Sequence, residues 1–292
     1  MKPAAFTYHR SSDVAETVEL LAELGEDAKI LAGGQSLAPM MNFRLARPSA
    51  LVDITRVPGL DYLRHDVDGL HIGALTTHRT VETTRLPEVR EGFVVLPEAA
   101  RWIGHYPIRC RGTFGGSIAH GDPTAEWCLL AVLLDAAVVL HGPRGRREVP
   151  AARFFLGFFA TAAEPDEMVV EVRFPRAAPH AALTEFAQRQ GDFAIVAAAV
   201  SIDLDGGTCT GGRIVLGGVG PLPVVLEAPL AGHPATDETW QAAGRFAAER
   251  IDPPTDGHGS AEYRRRLAAT LVARALADAA GRVDGSRNGA PR

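Results

Sequence analysis

The sequence predicts an α+β fold on three observations. The first 55 residues alternate short apolar runs with helical patterns in the order of a β-α-β unit. Residues 56–177 continue with short strands and helices, and after them the pattern changes to an antiparallel hairpin followed by two helices. We therefore divide the chain into residues 1–55, 56–177 and 178–281, and we expect the tail, residues 282–292, to be disordered.

The first region is predicted to begin with a capped helix. Asp13 is a candidate N-cap, Glu16 stands three residues later as in a capping box, and Gly25 ends the helix. The elements that follow are a strand over residues 29–32, a helix over residues 37–45 and a strand over residues 50–54.

The second region is predicted to mix strands and helices. Residues 70–74 form one strand and residues 170–174, which alternate apolar and charged side chains, form another. Helices are expected from Thr77 and through residues 99–103. Asp122 precedes Pro123, the arrangement of an N-cap followed by proline at the first helical position, so the apolar helix over residues 125–134 is expected to begin there.

The third region is predicted to contain a hairpin and two helices. Residues 194–204 and 213–219 flank the turn Asp205-Gly206-Gly207, which is typical of a β-hairpin. One helix is expected to be capped near Thr236, and a second to extend over residues 260–280.

The composition is typical of a soluble globular protein. The chain has 292 residues, of which 46% are hydrophobic and 22% charged, enough to bury a substantial core. Its formal charge of −5 and the absence of a Lys or Arg block give no attraction for nucleic acid. No apolar run resembles a signal core or could span a bilayer. We therefore expect a cytoplasmic protein with no nucleic-acid partner and no membrane span.

The three cysteines do not form a metal-binding pattern. Cys110, Cys128 and Cys209 are widely spaced and include no CxxC pair. The sequence therefore predicts neither a disulfide framework nor a zinc or iron–sulfur site in this chain.

Two glycine-rich segments about eighty residues apart carry the main functional signal. The first glycine segment is Ala32-Gly33-Gly34-Gln35-Ser36, and the second is Thr113-Phe114-Gly115-Gly116-Ser117. Glycine allows close approach of an anion to backbone N–H groups, and a following helix adds the positive end of its dipole. Together the segments predict a diphosphate held from both sides, with Gly33, Gly34, Gly115 and Gly116 supplying N–H donors. The alternative is that each segment is only a tight turn.

The remaining candidates each have a structural explanation beside a functional one. No GxGxxG follows a strand and no GxxxxGK[ST] is present. Asp122 is either a helix cap or an acceptor for a ribose or adenine group, and the spacing alone favours the cap. His78 and His120 are more typical of structural donors than of catalysts. Phe193 either fills the core, which is the default, or covers a flat ring.

An ordered series of motifs extends over nearly the whole chain. The motifs are Ala32-Gly33-Gly34-Gln35-Ser36-Leu37, Arg44-Leu45-Ala46-Arg47-Pro48, Val52-Asp53-Ile54, residues 72–78, residues 109–123, Gly191-Asp192-Phe193-Ala194, Leu216-Gly217-Gly218-Val219 and Ser260-Ala261-Glu262-Tyr263-Arg264-Arg265. In this order they resemble the FAD-binding medium subunit of molybdenum hydroxylases, of the carbon monoxide dehydrogenase and xanthine dehydrogenase type. The series is far more specific than either glycine segment alone.

The resemblance implies a two-lobed FAD-binding domain of the vanillyl-alcohol-oxidase (PCMH) type, with lobes at residues 1–55 and 56–177. It also implies a smaller C-terminal domain, residues 178–281, with a three-stranded antiparallel sheet and a helical bundle. By resemblance, the residues expected to contact FAD are Ala32, Gly33, Gly34, Gln35, Ser36, Leu37, Thr76, Arg111, Gly112, Thr113, Phe114, Gly115, Gly116, Ser117, Asp122 and Phe193. Asp122 would lie near the ribose or adenine end of FAD, and Phe193 over the isoalloxazine.

One departure from the family pattern concerns the flavin potential. Glu185 stands where relatives often have lysine near the flavin. A carboxylate there would disfavour the anionic reduced flavin relative to a lysine.

The function implied by the resemblance is electron transfer by a subunit of a larger enzyme. A large molybdopterin-binding subunit would oxidise the substrate, a small subunit would pass electrons through [2Fe–2S] clusters, and FAD in this chain would deliver them to an external acceptor. The assembly would be a dimer of heterotrimers, and no general acid, general base or metal ligand is assigned here. Two alternatives stay open: a self-contained flavin-dependent oxidase or reductase, and a flavin-free assembly scaffold.

Overall fold

The structure is a computed structural model that describes residues 2–284. The strands are β1 (Thr7–Arg10), β2 (Ala28–Leu31), β3 (Ala50–Asp53), β4 (Leu63–Asp66), β5 (Gly69–Gly73), β6 (Ala137–Gly142), β7 (Gly145–Pro150), β8 (Phe155–Gly157), β9 (Ala160–Thr161), β10 (Met168–Phe174), β11 (Ala181–Phe186), β12 (Val196–Asp205), β13 (Thr208–Gly217) and β14 (Val224–Glu227). The helices are α1 (Val14–Leu24), α2 (Leu37–Asn42), α3 (His78–Thr83), α4 (Pro87–Gly92), α5 (Val95–Ala99), α6 (Tyr106–Arg109), α7 (Phe114–His120), α8 (Glu126–Leu133), α9 (Ala151–Phe154), α10 (Asp237–Glu249) and α11 (Ala261–Ala280), followed by a 3-10 turn at Gly281–Asp284. The expected tail beyond residue 284 lies outside the described residues.

The chain forms two compact units. Among the described residues, the first unit consists of residues 2–84, 103–122 and 135–176, and the second of residues 85–102, 123–134 and 177–284. The second unit therefore takes α4, α5 and α8 from inside the region that the sequence groups as residues 56–177. A local apolar pattern shows that a helix is buried, but it does not show against which sheet the helix packs.

The first unit contains a three-stranded parallel sheet in the order β1-β3-β2. Asp13 caps α1 by accepting a hydrogen bond from the Glu16 backbone N–H at 2.9 Å. The Glu16 carboxylate turns back to the Ser12 backbone N–H at 2.6 Å, one residue before the cap. Gly25, with φ of 76°, ends the helix as predicted. Helix α2 is shorter than expected, because it ends at Asn42 rather than at residue 45.

The same unit contains a five-stranded antiparallel sheet in the order β4-β5-β10-β6-β7. Its strands β5 and β10 are mostly buried, and Ile72 and Val172 pair across them without exposure to solvent. Helix α7 packs against this pair of strands, where Phe114 meets Phe174 edge-on with ring centroids 6.1 Å apart. The burial of this apolar layer fixes the position of α7 and of the glycine segment at its start.

The second unit is built on a four-stranded antiparallel sheet in the order β11-β12-β13-β14. The sheet has one strand more than the three that were expected, because the short edge strand β14 was not predicted from the sequence. Gly206 and Gly207 join β12 to β13 with φ of +54° and +82°, the left-handed pair that a two-residue hairpin turn requires. Helices α10 and α11 pack together, and Trp240, Leu271 and Leu276 share one core with the sheet.

The fold is thus α+β, with an antiparallel sheet and helices in its C-terminal part. Within residues 2–284, no helix combines the length and apolar character needed to cross a bilayer.

Candidate functional site

The first glycine segment lies against the two residues that precede the second segment, within the first unit. A Cβ atom built on Gly33 would stand 2.1 Å from the carbonyl oxygen of Arg111 and 2.8 Å from the Cα of Gly112. Because real Cβ atoms do not approach other heavy atoms so closely, the backbones can touch here only if residue 33 is glycine. The structure therefore brings the first segment into contact with the approach to the second.

The first segment presents a row of backbone donors. No acceptor among the described residues takes the N–H groups of residues 33–36. Gly34 has φ of +70°, and the Gln35 side-chain amide donates to the Gly33 carbonyl at 2.9 Å, which stabilises this turn of the chain. Ala32, Gln35, Ser36 and Leu37 are all half-buried, so the segment lies at the surface of the protein. Consecutive N–H groups of this kind suit an anion.

The second segment is the capped start of α7 rather than a loop. Thr113 is the N-cap, and its hydroxyl accepts the Gly116 N–H at 3.1 Å. The Gly115 N–H donates to the Ala74 carbonyl at 3.0 Å. The expectation that Gly115 and Gly116 supply N–H donors to a ligand is therefore wrong, because both N–H groups already have acceptors within the protein.

The glycines of the second segment serve close packing instead. A Cβ on Gly115 would lie 2.5 Å from the Cβ of Ala74, and a Cβ on Gly116 would lie 2.7 Å from the Thr113 hydroxyl. Gly116 itself is exposed and Ser117 is half-buried. The segment therefore offers an accessible, nearly side-chain-free surface, supported from behind by the strand that ends at Gly73.

Thr76 lies behind the second segment, and Phe114 is the member of the segment whose side chain is buried. The Thr76 hydroxyl is fully buried and donates to the Tyr62 carbonyl at 2.7 Å, while its own carbonyl accepts the Phe114 N–H at 2.8 Å. The Phe114 side chain belongs to the core. These two residues therefore hold the segment through the backbone, and their side chains point away from solvent.

His78 is buried beneath the approach to the second segment. Its N–H donates to the Gly112 carbonyl at 3.0 Å, and a Cβ on Gly112 would meet the His78 Nε2 at 2.6 Å. Burial, together with the nearby positive charge of Arg109, lowers the pKa of His78 to about 4. A neutral, enclosed imidazole fits the structural role that the sequence favoured.

Arg109 opens the motif of residues 109–123, and nothing in the sequence predicts a role for its side chain. Its Nε donates to Glu82 at 3.0 Å and its NH1 donates to the Gly104 carbonyl at 2.9 Å. Arg109 thus connects α3, the turn before α6 and the chain that leads to Gly112. Its partner Glu82 is distant in sequence, so only the position of Arg109 just ahead of the glycines could have drawn attention to it.

Asp122 is not the cap that the spacing favoured. Helix α8 begins at Glu126 with Ala125 as its N-cap, three residues later than expected. Asp122 is buried, 8% exposed, and it directly follows Gly121, which ends α7 in the left-handed conformation. Asp122 therefore lies at the far end of the helix that carries the second segment.

Phe193 and Glu185 belong to the second unit. Phe193 is 67% exposed on the segment between β11 and β12, so the expected core packing is wrong for this side chain. Glu185 lies on β11, and its Oε2 is buried without a hydrogen-bond partner among the described residues. Burial and repulsion by Glu126 raise the pKa of Glu185 well above its ordinary range. A neutral Glu185 would weaken the charge effect that the sequence predicted for it.

Comparison with known families assigns both parts of the chain. Residues 4–177 match the family described as the FAD binding domain in molybdopterin dehydrogenase. Residues 181–279 match the CO dehydrogenase flavoprotein C-terminal domain.

Characterised proteins and solved structures show the same similarity. The chain is 40% identical over 291 residues to the 6-hydroxypseudooxynicotine dehydrogenase complex subunit alpha of Paenarthrobacter nicotinovorans, covering 96% of each chain. It is 40% identical over 281 residues to the carbon monoxide dehydrogenase medium chain of Hydrogenophaga pseudoflava, covering 94% of this chain and 97% of that one. The structure of carbon monoxide dehydrogenase from Hydrogenophaga pseudoflava, which lacks the Mo-pyranopterin moiety of the molybdenum cofactor, superimposes with a TM-score of 0.89 over 97% of this chain and 99% of that chain.

Proposed function

This chain belongs to the FAD-binding medium subunits of the molybdenum hydroxylases, and from that premise we propose that it transfers electrons within a multi-subunit enzyme. It is an FAD-dependent oxidoreductase subunit of the carbon monoxide dehydrogenase and xanthine dehydrogenase type. In the proposed function it receives electrons from [2Fe–2S] clusters of a partner subunit and delivers them to an external acceptor.

The residues of the first unit fit the diphosphate of FAD. The observation that carries the proposal is the close contact of Gly33 with Arg111 and Gly112, directly before the second glycine segment, beside the row of N–H groups at residues 33–36 that have no acceptor among the described residues. Any side chain on Gly33 would fill the space between the segments. An anion needs N–H donors and little bulk, and this cradle supplies both.

We assign the FAD contacts as follows. The first segment with Leu37 donates backbone N–H groups, and the second segment with Arg111 and Gly112 limits the bulk on the opposite side. Thr76 supports the second segment through the backbone of Phe114, Asp122 lies near the ribose or adenine, and Phe193 contacts the isoalloxazine. The roles of Asp122 and Phe193 rest on the family resemblance.

FAD, when bound, supplies the redox chemistry of this subunit. The chain's own residues hold, orient and shield it. His78 is buried beneath the cradle and its pKa is lowered, so we assign it no proton transfer.

The proposed partners are a large molybdopterin-binding subunit and a small iron–sulfur subunit, in a dimer of heterotrimers within the cytoplasm. Support comes from the names of the relatives, which are a complex subunit alpha and a medium chain. The three widely spaced cysteines of this chain agree with iron–sulfur clusters being carried by another subunit.

Co-expression with the neighbouring genes tests this function. We expect the chain to co-purify with both partners and to release FAD on denaturation. Turnover by this chain alone, without molybdenum or iron, would show a self-contained oxidase or reductase. A colourless complex without releasable flavin would show an assembly scaffold.

A further inference from the structure

Three motifs of the C-terminal part have no role in the cofactor cradle. They are Gly191-Asp192-Phe193-Ala194, Leu216-Gly217-Gly218-Val219 and Ser260-Ala261-Glu262-Tyr263-Arg264-Arg265. Within the second unit they meet at one side chain, that of Arg264. Its guanidinium donates to the Ile195 carbonyl at 2.5 Å, next to the first motif, and to the Gly218 carbonyl of the second motif at 2.8 Å.

Arg264 is held in place by its own helix and by a carboxylate. It lies in the first turn of α11, which Ser260 caps by accepting the Tyr263 N–H at 3.2 Å. Its NH2 donates to both carboxylate oxygens of Asp256, at 2.8 and 2.7 Å. A charge-assisted contact of this kind holds the NH2 end of the guanidinium in place. Arg264 is only 5% exposed, so its charge is committed to these partners.

The Ile195 carbonyl is enclosed from a second side by Gly218. Gly218 has φ of +76°, and a Cβ built there would lie 2.2 Å from the Ile195 oxygen. The Ile195 N–H in turn donates to the Phe186 carbonyl at 2.8 Å. Both backbone groups of Ile195 are therefore fixed, and residues 187–194 form a loop whose two ends are pinned together.

The base of this loop is fixed, whereas its tip is exposed to solvent. Arg264 and Gly218 fix the base, whereas Phe193, two residues before Ile195, is 67% exposed. An anchored base restricts the positions that the exposed Phe193 side chain can take.

We propose that Arg264 is a positioning residue that sets where the loop of residues 187–194 presents Phe193, and thereby controls the exposure of the flavin. The effect on flavin exposure rests on the proposed function, in which Phe193 contacts the isoalloxazine. The fixing of the loop by Arg264 depends on the second unit alone.

The test uses the complete chain and two perturbations of the same carbonyl. Arg264→Met removes both carbonyl hydrogen bonds, and Gly218→Ala pushes the Ile195 carbonyl away while Arg264 stays. Arg266→Met is the matched control, because Arg266 is an exposed arginine of the same helix that pairs only with Glu262 among the described residues. The readouts are amide hydrogen exchange by mass spectrometry and iodide quenching of the flavin fluorescence.

We expect exchange in residues 187–195 to become about tenfold faster or more in both variants, because Arg264→Met removes a charge-assisted hydrogen bond and Gly218→Ala displaces the carbonyl that accepts it. Exchange in the first unit and the amount of bound flavin stay unchanged, iodide quenching rises, and Arg266→Met behaves as wild type. Phe193→Ala should raise the quenching without changing exchange at the base.

Wild-type exchange of residues 187–195 in both variants overturns the anchoring role. A loosening spread evenly over the second unit also overturns it, because that is the result of a purely structural residue. Faster exchange with unchanged quenching overturns the control of flavin exposure. If Arg264→Met does not fold, Gly218→Ala and Asp256→Asn decide by the same criteria. A wild-type chain without flavin refutes the proposed function, while the exchange result still decides the anchoring.

Discussion

Replacement of Gly33 by alanine should separate the two glycine segments and weaken FAD binding. The added Cβ would stand 2.1 Å from the Arg111 carbonyl oxygen, whereas ordinary contacts begin at 3.4 Å. The segments must therefore move apart by roughly 1.3 Å. The neighbours are backbone atoms, so no flexible side chain can turn aside to absorb the overlap.

The size of the effect follows from the cost of overpacking. Forcing an extra methyl group into a tight site costs about 1–3 kcal/mol. If this strain is relieved in the FAD-free protein and reimposed on binding, the Kd for FAD rises about 5- to 150-fold. Gly157→Ala is the matched control in the same unit, because a Cβ at Gly157 meets no heavy atom within 4 Å and no positive φ is required there.

The assay is a titration of the flavin-free chain with FAD, followed by flavin fluorescence quenching. Circular dichroism and thermal unfolding of both variants establish that each is folded. We expect Gly33→Ala to bind weakly and Gly157→Ala to bind as wild type. A folded Gly33→Ala variant with wild-type affinity would refute the reasoning, because the segments would then not need to touch.

Three further predictions follow from single groups. The pKa of His78 falls from its ordinary 6.5 to about 4 on folding, so the unfolded chain binds more protons between these two pH values. The free energy of unfolding should therefore fall, by up to about 3 kcal/mol, as the pH drops from 6.5 to 4. Denaturant titrations from pH 7 to pH 4 test this, and His78→Gln should show a shallower fall; parallel profiles would contradict it. Burial raises the pKa of Glu185, so its contribution to stability should decline as the pH rises above the ordinary carboxyl value of 4.5, and Glu185→Gln should flatten the alkaline limb of the thermal unfolding profile. An unchanged limb would mean that Glu185 is ionised in the folded protein. Thr113→Val removes the acceptor for the Gly116 N–H and should lower stability by about 1 kcal/mol, measured by chemical denaturation, and a neutral effect would show that this cap is dispensable.

Turns and helix caps that depend only on neighbouring residues could be predicted from the sequence. The turn at Gly206 and Gly207 needs two residues with positive φ, and the sequence marks it without ambiguity. Asp13 and Ser260 act as the caps that their positions indicate. In contrast, β1 carries no apolar alternation and is mostly exposed, so nothing in its sequence distinguishes it from a loop.

The errors arise where distant residues decide the outcome. Asp122 has the sequence of a cap, but the chain stays non-helical to Ala125 and Asp122 is buried instead. The N–H group of Gly115 is taken by Ala74, a residue some forty positions earlier, which only the folded chain brings close. The glycine segments could therefore be located from the sequence. Which of their backbone N–H groups have acceptors within the protein could not be predicted from it.

The most direct test of the account is electron transfer into the flavin of this chain from an isolated iron–sulfur partner. The FAD-loaded chain is mixed without oxygen with the small subunit, which has been reduced by dithionite and freed of excess reductant, while the visible absorbance of the flavin is followed. We predict that the flavin is bleached in proportion to the electrons delivered, and that the folded Gly33→Ala variant, at FAD concentrations below its raised Kd, shows a correspondingly smaller change. A flavin that stays oxidised beside the reduced partner would contradict the claim that this chain is the electron-transferring FAD subunit.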